Sequence, residues 1–96
     1  MAAVYTVTIS NTTPVEITGG RVGHFILQVE SYHGSLYLGG PNLSVSYSPT
    51  VVANGLSVSE GSSQWTELYV TSPDEIYALI ATDSVSSDTM KIFHNR

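Results

Sequence analysis

The sequence predicts an all-β protein: a single small antiparallel β-sandwich or barrel of about eight short strands. Apolar and polar residues alternate in short runs, as they do where one face of a strand is buried. Gly, Pro, Asn or Ser interrupts these runs at intervals of roughly eight to twelve residues. No segment keeps a helical apolar repeat over the dozen or so positions that a stable helix needs. The 96 residues suit one domain, spanning 1–96.

Two strands are predicted before the first glycine pair. In residues 4–10, Tyr5, Val7 and Ile9 share one face and threonines occupy the other, which indicates a half-buried strand. Residues 11–14 end this strand, because Asn turns locally and Pro14 cannot donate to a β-ladder. Residues 15–17 are predicted to form a short edge strand before the glycine pair.

The next strand is predicted at residues 23–31, where Phe25, Leu27 and Val29 share the apolar face. A turn at 32–34 separates it from the apolar run that follows, which alternates between glycines. Residues 25–38 are therefore predicted to form an antiparallel hairpin.

The middle of the chain alternates in shorter runs. Asn54-Gly55 is a strong turn dipeptide, so we predict a chain reversal there. Trp65, Glu67 and Tyr69 should share one face of the strand that follows. The predicted strands of this region are 35–38, 43–47 (ended by Pro49), the weaker 50–54, 56–59 and 64–71.

The most apolar strand is predicted at 76–81, and we expect it to be central. Its residues Ile76, Ala78 and Ile80 should share one face, with Tyr77 and Leu79 on the other. Phe25, Leu27 and Val29 should pack opposite Ile76 and Ile80. A last strand is predicted at 90–94.

Composition restricts the partners and the compartment. The net charge is −5 and the three basic residues are scattered, so neither nucleic acid nor an acidic membrane surface is an expected partner. The absence of cysteine excludes disulfides and thiolate metal sites. It favours folding in a reducing cytosol. No signal peptide and no apolar segment long enough to span a bilayer is recognised.

No constellation for catalysis is visible. His24, His33 and His94 lack metal-site spacing, and surface or turn positions explain them. Acidic residues in the C-terminal loops could in principle bind calcium, but solvated loop carboxylates are the simpler interpretation. No Gly-x-Ser-x-Gly elbow and no marked carboxylate pair is present. We therefore predict no enzyme and no catalytic, cofactor-binding or metal-binding residue.

Aromatic residues supply the candidate interaction surface. Most of them are expected in the core, because aromatic residues are ordinary strand residues. Tyr32 and Trp65 lie beside predicted turns, and Tyr and Trp are favoured at interfaces because they combine apolar area with a polar tip. These two residues are the predicted binding surface.

Three motifs carry a family resemblance. They are Gly-Ser-Leu-Tyr-Leu-Gly-Gly at 34–40, Gly-Leu-Ser-Val-Ser-Glu-Gly-Ser at 55–62 and Glu-Ile-Tyr-Ala-Leu-Ile-Ala at 75–81. Together with the strands at 4–11 and 25–29, they resemble a recurring small β-module of tailed-bacteriophage virion structural proteins. The segment 41–54 is longer than in that module.

The resemblance implies a capsid decoration (head-stabilising) protein or a head-fibre or tail accessory subunit. Such a subunit would form a homo-oligomer, for example a trimer, and bind the major capsid protein or other virion proteins without a cofactor. It would be made in the host bacterial cytoplasm and lie on the capsid exterior. The alternatives are a glycan-binding or adhesin-like β-sandwich, in which Trp65 and Tyr32 stack on sugars, and a small hydrolase.

Overall fold

A computed structural model describes residues 2–29, 35–60, 65–73 and 75–95, and within these ranges the chain forms two antiparallel sheets. The front sheet has the strand order β1-β8-β3-β6 and the back sheet the order β2-β7-β4-β5. The predicted all-β sandwich is confirmed, with two open sheets instead of a closed barrel. The strands are β1 (Ala3–Ser10), β2 (Val15–Glu16), β3 (Gly23–Val29), β4 (Ser35–Ser46), β5 (Val51–Glu60), β6 (Trp65–Val70), β7 (Tyr77–Ala81) and β8 (Ser87–Asn95).

The core lies between the two sheets and follows the predicted alternation. Phe25 and Leu27 of β3 are buried, as are Ala78 and Ile80 of β7, and all four belong to one apolar cluster. β7 is an interior strand between β2 and β4, as predicted, and β2 forms the predicted short edge. The cluster of buried residues is completed by Ile9, Ile17, Val29, Leu36, Leu38, Val70, Met90 and Ile92.

The predicted hairpin across residues 25–38 is wrong, because β3 and β4 lie in different sheets. β3 pairs instead with β8 and β6, for example Leu27 with Ile92 and with Thr66. Two strands that each bury one apolar face can pair side by side or face each other across a core, and alternation is the same in both cases. The predicted turn at 32–34 lies outside the described residues.

The predicted turn at Asn54-Gly55 is also wrong, because both residues lie inside β5. Asn54 has a φ of 64°, and this left-handed conformation coincides with an irregularity in the β4–β5 pairing. The irregularity lies between Gly39 and Ser44 of β4, so the runs predicted as two strands at 35–38 and 43–47 form one strand. The chain instead reverses at 47–50, where the predicted strand end at Pro49 is confirmed.

The distal halves of β4 and β5, residues 42–54, form an arm that folds back along β7. Gly39 pairs with Tyr77 at the start of β7. Eight positions later, the Tyr47 hydroxyl donates to the Asn11 carbonyl oxygen at 2.6 Å, and the Asn11 amide donates to the carbonyl of Thr82, just beyond the end of β7, at 2.8 Å. The arm therefore returns along the outer face of the back sheet. Its Leu43 is buried, and so is Leu79 on the outward side of β7.

Replacing Tyr47 by phenylalanine should loosen this arm. The variant loses one side chain–backbone hydrogen bond, which stabilises a protein by about 0.5–1.5 kcal/mol. We expect a loss of that size in urea unfolding, with faster amide exchange at 51–53. Tyr69→Phe is the control, because its exposed hydroxyl makes only a 3.4 Å contact with Glu67. Equal losses in both variants would contradict the proposed anchoring role.

The sandwich is closed on the side where β1 meets β2. The Tyr5 hydroxyl donates to the Ile17 carbonyl oxygen at 2.8 Å, and the Arg21 guanidinium lies 4.9 Å from the centre of the Tyr5 ring. Nearby, the Glu16 carboxylate accepts from the backbone N–H of Thr18 at 2.7 Å and from that of Gly19. The contacts of Tyr5 join the two sheets at this edge of the sandwich, and those of Glu16 hold the turn that follows β2. The opposite edge lies between β5 and β6.

Two tyrosines, one on the closed side and one on the arm, give the fold an alkaline limit. Burial raises the pKa of Tyr5 and that of Tyr47 above their ordinary values. Tyrosines in the unfolded chain lose their protons near pH 10, at a lower pH than these two do in the folded protein. The contribution of the two tyrosines to the free energy of unfolding is therefore fully present below about pH 10 and is lost as pH rises through their folded pKa values. Urea unfolding between about pH 9 and pH 11 should show this decline, and Tyr5→Phe should make it shallower. Identical slopes in variant and parent would contradict the assignment.

Candidate interaction surface

The two predicted surface residues are only partly described by the structure. Tyr32 lies outside the described residues. Trp65 is described by its backbone alone, which pairs with Gln28 at the start of β6. Other side chains therefore form the candidate interaction surface that the structure describes.

The outer face of the front sheet carries an apolar strip across three strands. Backbone register places Val4 of β1 beside Phe93 of β8, and Phe93 beside Ile26 of β3. Val4 is 68% exposed, whereas Ile26 and Phe93 are half-buried. These residues alternate with the core residues on their strands, so they point away from the interior. Exposed apolar residues grouped in this way are typical of interaction sites.

A cluster of His24, Glu67 and Tyr69 continues this face onto β6. The β3–β6 register sets His24 opposite Tyr69, and their rings stack with centroids 4.5 Å apart and planes 10° apart. Nε2 of His24 lies 2.7 Å from Oε1 of Glu67, which also accepts from the Tyr69 hydroxyl at 3.4 Å. Tyr69 is 69% exposed. The cluster therefore presents an aromatic ring that is held by polar neighbours and open to solvent.

The sequence placed Glu67 and Tyr69 on one face but did not single them out. The shared face was predicted because Trp65, Glu67 and Tyr69 are each two residues apart along one strand. His24, interpreted as a surface or turn histidine, lies on an adjacent strand, and its contact with Tyr69 depends on the register between β3 and β6. Register between two distant segments is not encoded in the alternation of either one.

An apolar groove, here called the edge groove, lies where β5 and β6 leave the sandwich open. It holds about 250 Å³ and is lined by Leu38, Gly39, Leu56, Val58, Leu68 and Ile76. Leu56 at its rim is 74% exposed. A hydrogen bond joins the two edge strands, from the Thr66 hydroxyl to the Val58 carbonyl oxygen at 3.4 Å. The groove is a gap in the core that the described side chains leave partly unfilled.

The remaining histidine of the described region has a structural role. His94 is buried, stacks on Phe25 at a centroid distance of 4.4 Å, and donates from Nε2 to the Val22 carbonyl oxygen at 2.7 Å. This position corrects the expectation of a surface or turn histidine. His33 and Asp74 lie outside the described residues. Within the described ranges, no group of three or more His, Asp or Glu side chains is placed to hold a metal ion.

Comparisons with protein-family models, with curated protein sequences and with solved structures gave no match to this chain. In the described part of the chain, no helix is long and apolar enough to cross a membrane. The candidate surface therefore rests on the geometry of the front sheet and of the edge groove.

Proposed function

We propose that this protein is a structural subunit of a tailed-phage virion, either a capsid decoration protein or a head-fibre or tail accessory subunit. The observation that carries the proposal is the outer face of the front sheet, where the strip of Val4, Ile26 and Phe93 runs on to the exposed ring of Tyr69. The motif resemblance of residues 34–40, 55–62 and 75–81 gives the class of protein. The partners are the major capsid protein or other virion proteins and further copies of this chain.

The chemistry of this face suits docking on a repeated protein surface. A broad sheet face with an aromatic anchor and a polar rim has the composition of protein–protein interfaces. Several linked subunits that dock together on a repeated surface bind more tightly than one, because their contacts add through avidity. The cysteine-free sequence suits synthesis in a reducing bacterial cytoplasm, and the proposed place of attachment is the capsid exterior.

Co-sedimentation with empty capsids tests the proposal. The first step is to look in the source genome for a major capsid protein gene beside the gene of this chain, and the capsids are then assembled from the product of that gene. We expect the parent protein to pellet with them in a saturable ratio, and Tyr69→Ala and Val4→Ser to reduce the bound fraction. Val51→Ser is the matched control for Val4→Ser, because Val51 is 54% exposed but lies on the arm. A parent protein that stays in the supernatant, or a control that loses as much binding as Val4→Ser, would count against the proposal.

The second candidate function is glycan binding, which the His24, Glu67 and Tyr69 cluster favours. An exposed aromatic ring can stack on the apolar face of a sugar, while the neighbouring carboxylate and imidazole bind hydroxyl groups. Trp65, two residues before Glu67 on β6, is the further aromatic residue that the sequence indicates. A glycan array probed with the parent, Tyr69→Ala and Trp65→Ala tests this. No binding by the parent, or binding unchanged in both variants, would remove the candidate.

A further inference from the structure

We propose that the edge groove binds the Leu56 side chain of a second copy of this chain. This inference rests on the self-association included in the proposed function and identifies the surface that carries it. It concerns the edge of the sandwich, whereas capsid docking was assigned to the outer face of the front sheet.

The size and lining of the groove favour a protein side chain over a small molecule. Small-molecule sites usually hold about 300–1,000 Å³ and contain a few polar groups that orient the ligand. The edge groove holds about 250 Å³, and the side chains that line it, those of Leu38, Leu56, Val58, Leu68 and Ile76, are all aliphatic. Such a space can hold a branched aliphatic side chain, which needs no hydrogen-bonding partner.

Leu56 is the side chain that fits this description. It lies on β5, the edge strand of the back sheet, and is 74% exposed at the rim of the groove. One copy therefore carries both a protruding leucine and a groove that takes aliphatic side chains. The same contact can be made reciprocally in a two-fold dimer or head-to-tail in a closed ring.

Charge also favours a second copy at this edge. Each copy has a net charge of −5, so two copies repel each other, and the repulsion is weakest where the facing surfaces carry no charge. Residues 51–59 of β5 carry no charge, although β5 is among the longest strands of the described chain. Two described acidic residues are sequence neighbours of the groove lining: Glu67, which precedes Leu68 and lies on the outer face of β6, and Glu75, which precedes Ile76. Salt should therefore strengthen the association, because it screens this repulsion.

Sedimentation equilibrium of the purified protein tests the contact without any capsid. We expect the parent to form a defined oligomer that becomes tighter as salt is raised. Leu56→Asp should raise the dissociation constant by at least about tenfold, since it places a charge in the groove. Val4→Asp is the matched control, with the same charge change at a residue that is 68% exposed on the front sheet, and it should leave the mass unchanged.

Cross-linking then tests the position of the leucine. The chain has no cysteine, so Leu56→Cys in one copy and Leu68→Cys in the other provide a clean pair. Mild oxidation of the mixture should give a mixed disulfide dimer, and Leu56→Cys mixed with Val4→Cys should give none. A parent that is monomeric up to about 1 mM, or a Leu56→Asp oligomer as tight as that of Val4→Asp, would overturn the inference. Capsid co-sedimentation by such a protein would support attachment to the virion through the front sheet while removing self-association at this edge.

Discussion

Replacing Ile80 by alanine is expected to lower the free energy of unfolding by about 2–5 kcal/mol. Ile80 is buried on the inner side of β7, in the same cluster as Leu27 of the facing sheet and Leu36, its partner on β4. The substitution removes apolar area and leaves a cavity that the two sheets cannot close. The loss is a large part of the roughly 5–15 kcal/mol that stabilises a domain, so urea unfolding will resolve it.

Ser86→Ala is the control for this prediction. Ser86 is exposed in the segment between β7 and β8. Its backbone carbonyl oxygen accepts a hydrogen bond from the Asn11 N–H at 3.1 Å. The backbone bond survives the change, so we expect an effect within about 0.5 kcal/mol. An Ile80→Ala variant that unfolds at the same urea concentration as Ser86→Ala would contradict the packing of β7 against the front sheet.

Replacing Gly39 by alanine is expected to destabilise the protein by about 1–3 kcal/mol or more. Gly39 pairs with Gly55 on one side and Tyr77 on the other, at the point where the arm begins to fold back. A Cβ atom at this position would lie 2.5 Å from the Asn54 carbonyl oxygen. Because that neighbour is backbone, either the arm or the β4–β5 pairing must move.

Gly40→Ala provides a matched comparison one residue further on. A Cβ atom there would approach its nearest neighbour, Oδ1 of Asn42, only to 3.6 Å, which is ordinary contact. Where alanine fits, it reduces the conformational entropy of the unfolded chain, so we expect a neutral or slightly stabilising change of up to about 1 kcal/mol. Urea unfolding and amide exchange of the arm will compare the pair, and similar losses in both variants would contradict the fold-back at Gly39.

Local alternation in the sequence determined the fold class, most strand positions and the inward face of each strand. Leu27 and Ile80 were predicted to be buried in facing layers, and the structure confirms this because a strand turns alternate residues to opposite faces whatever its neighbours are. The same alternation placed Glu67 and Tyr69 together. Part of the candidate surface was therefore predictable, whereas the prediction for Tyr32 stays a prediction.

Only the tertiary structure decided which strands are neighbours. A hairpin would have paired β3 with β4, but in the structure β8 lies beside β3. The Asn54-Gly55 dipeptide indicated a turn, but both residues lie within β5. The His24–Tyr69 stack, the folded arm and the edge groove all follow from these pairings. The physical reason is that alternation depends on the backbone of a single strand, whereas pairing depends on which backbone edges and apolar faces meet when distant segments pack together.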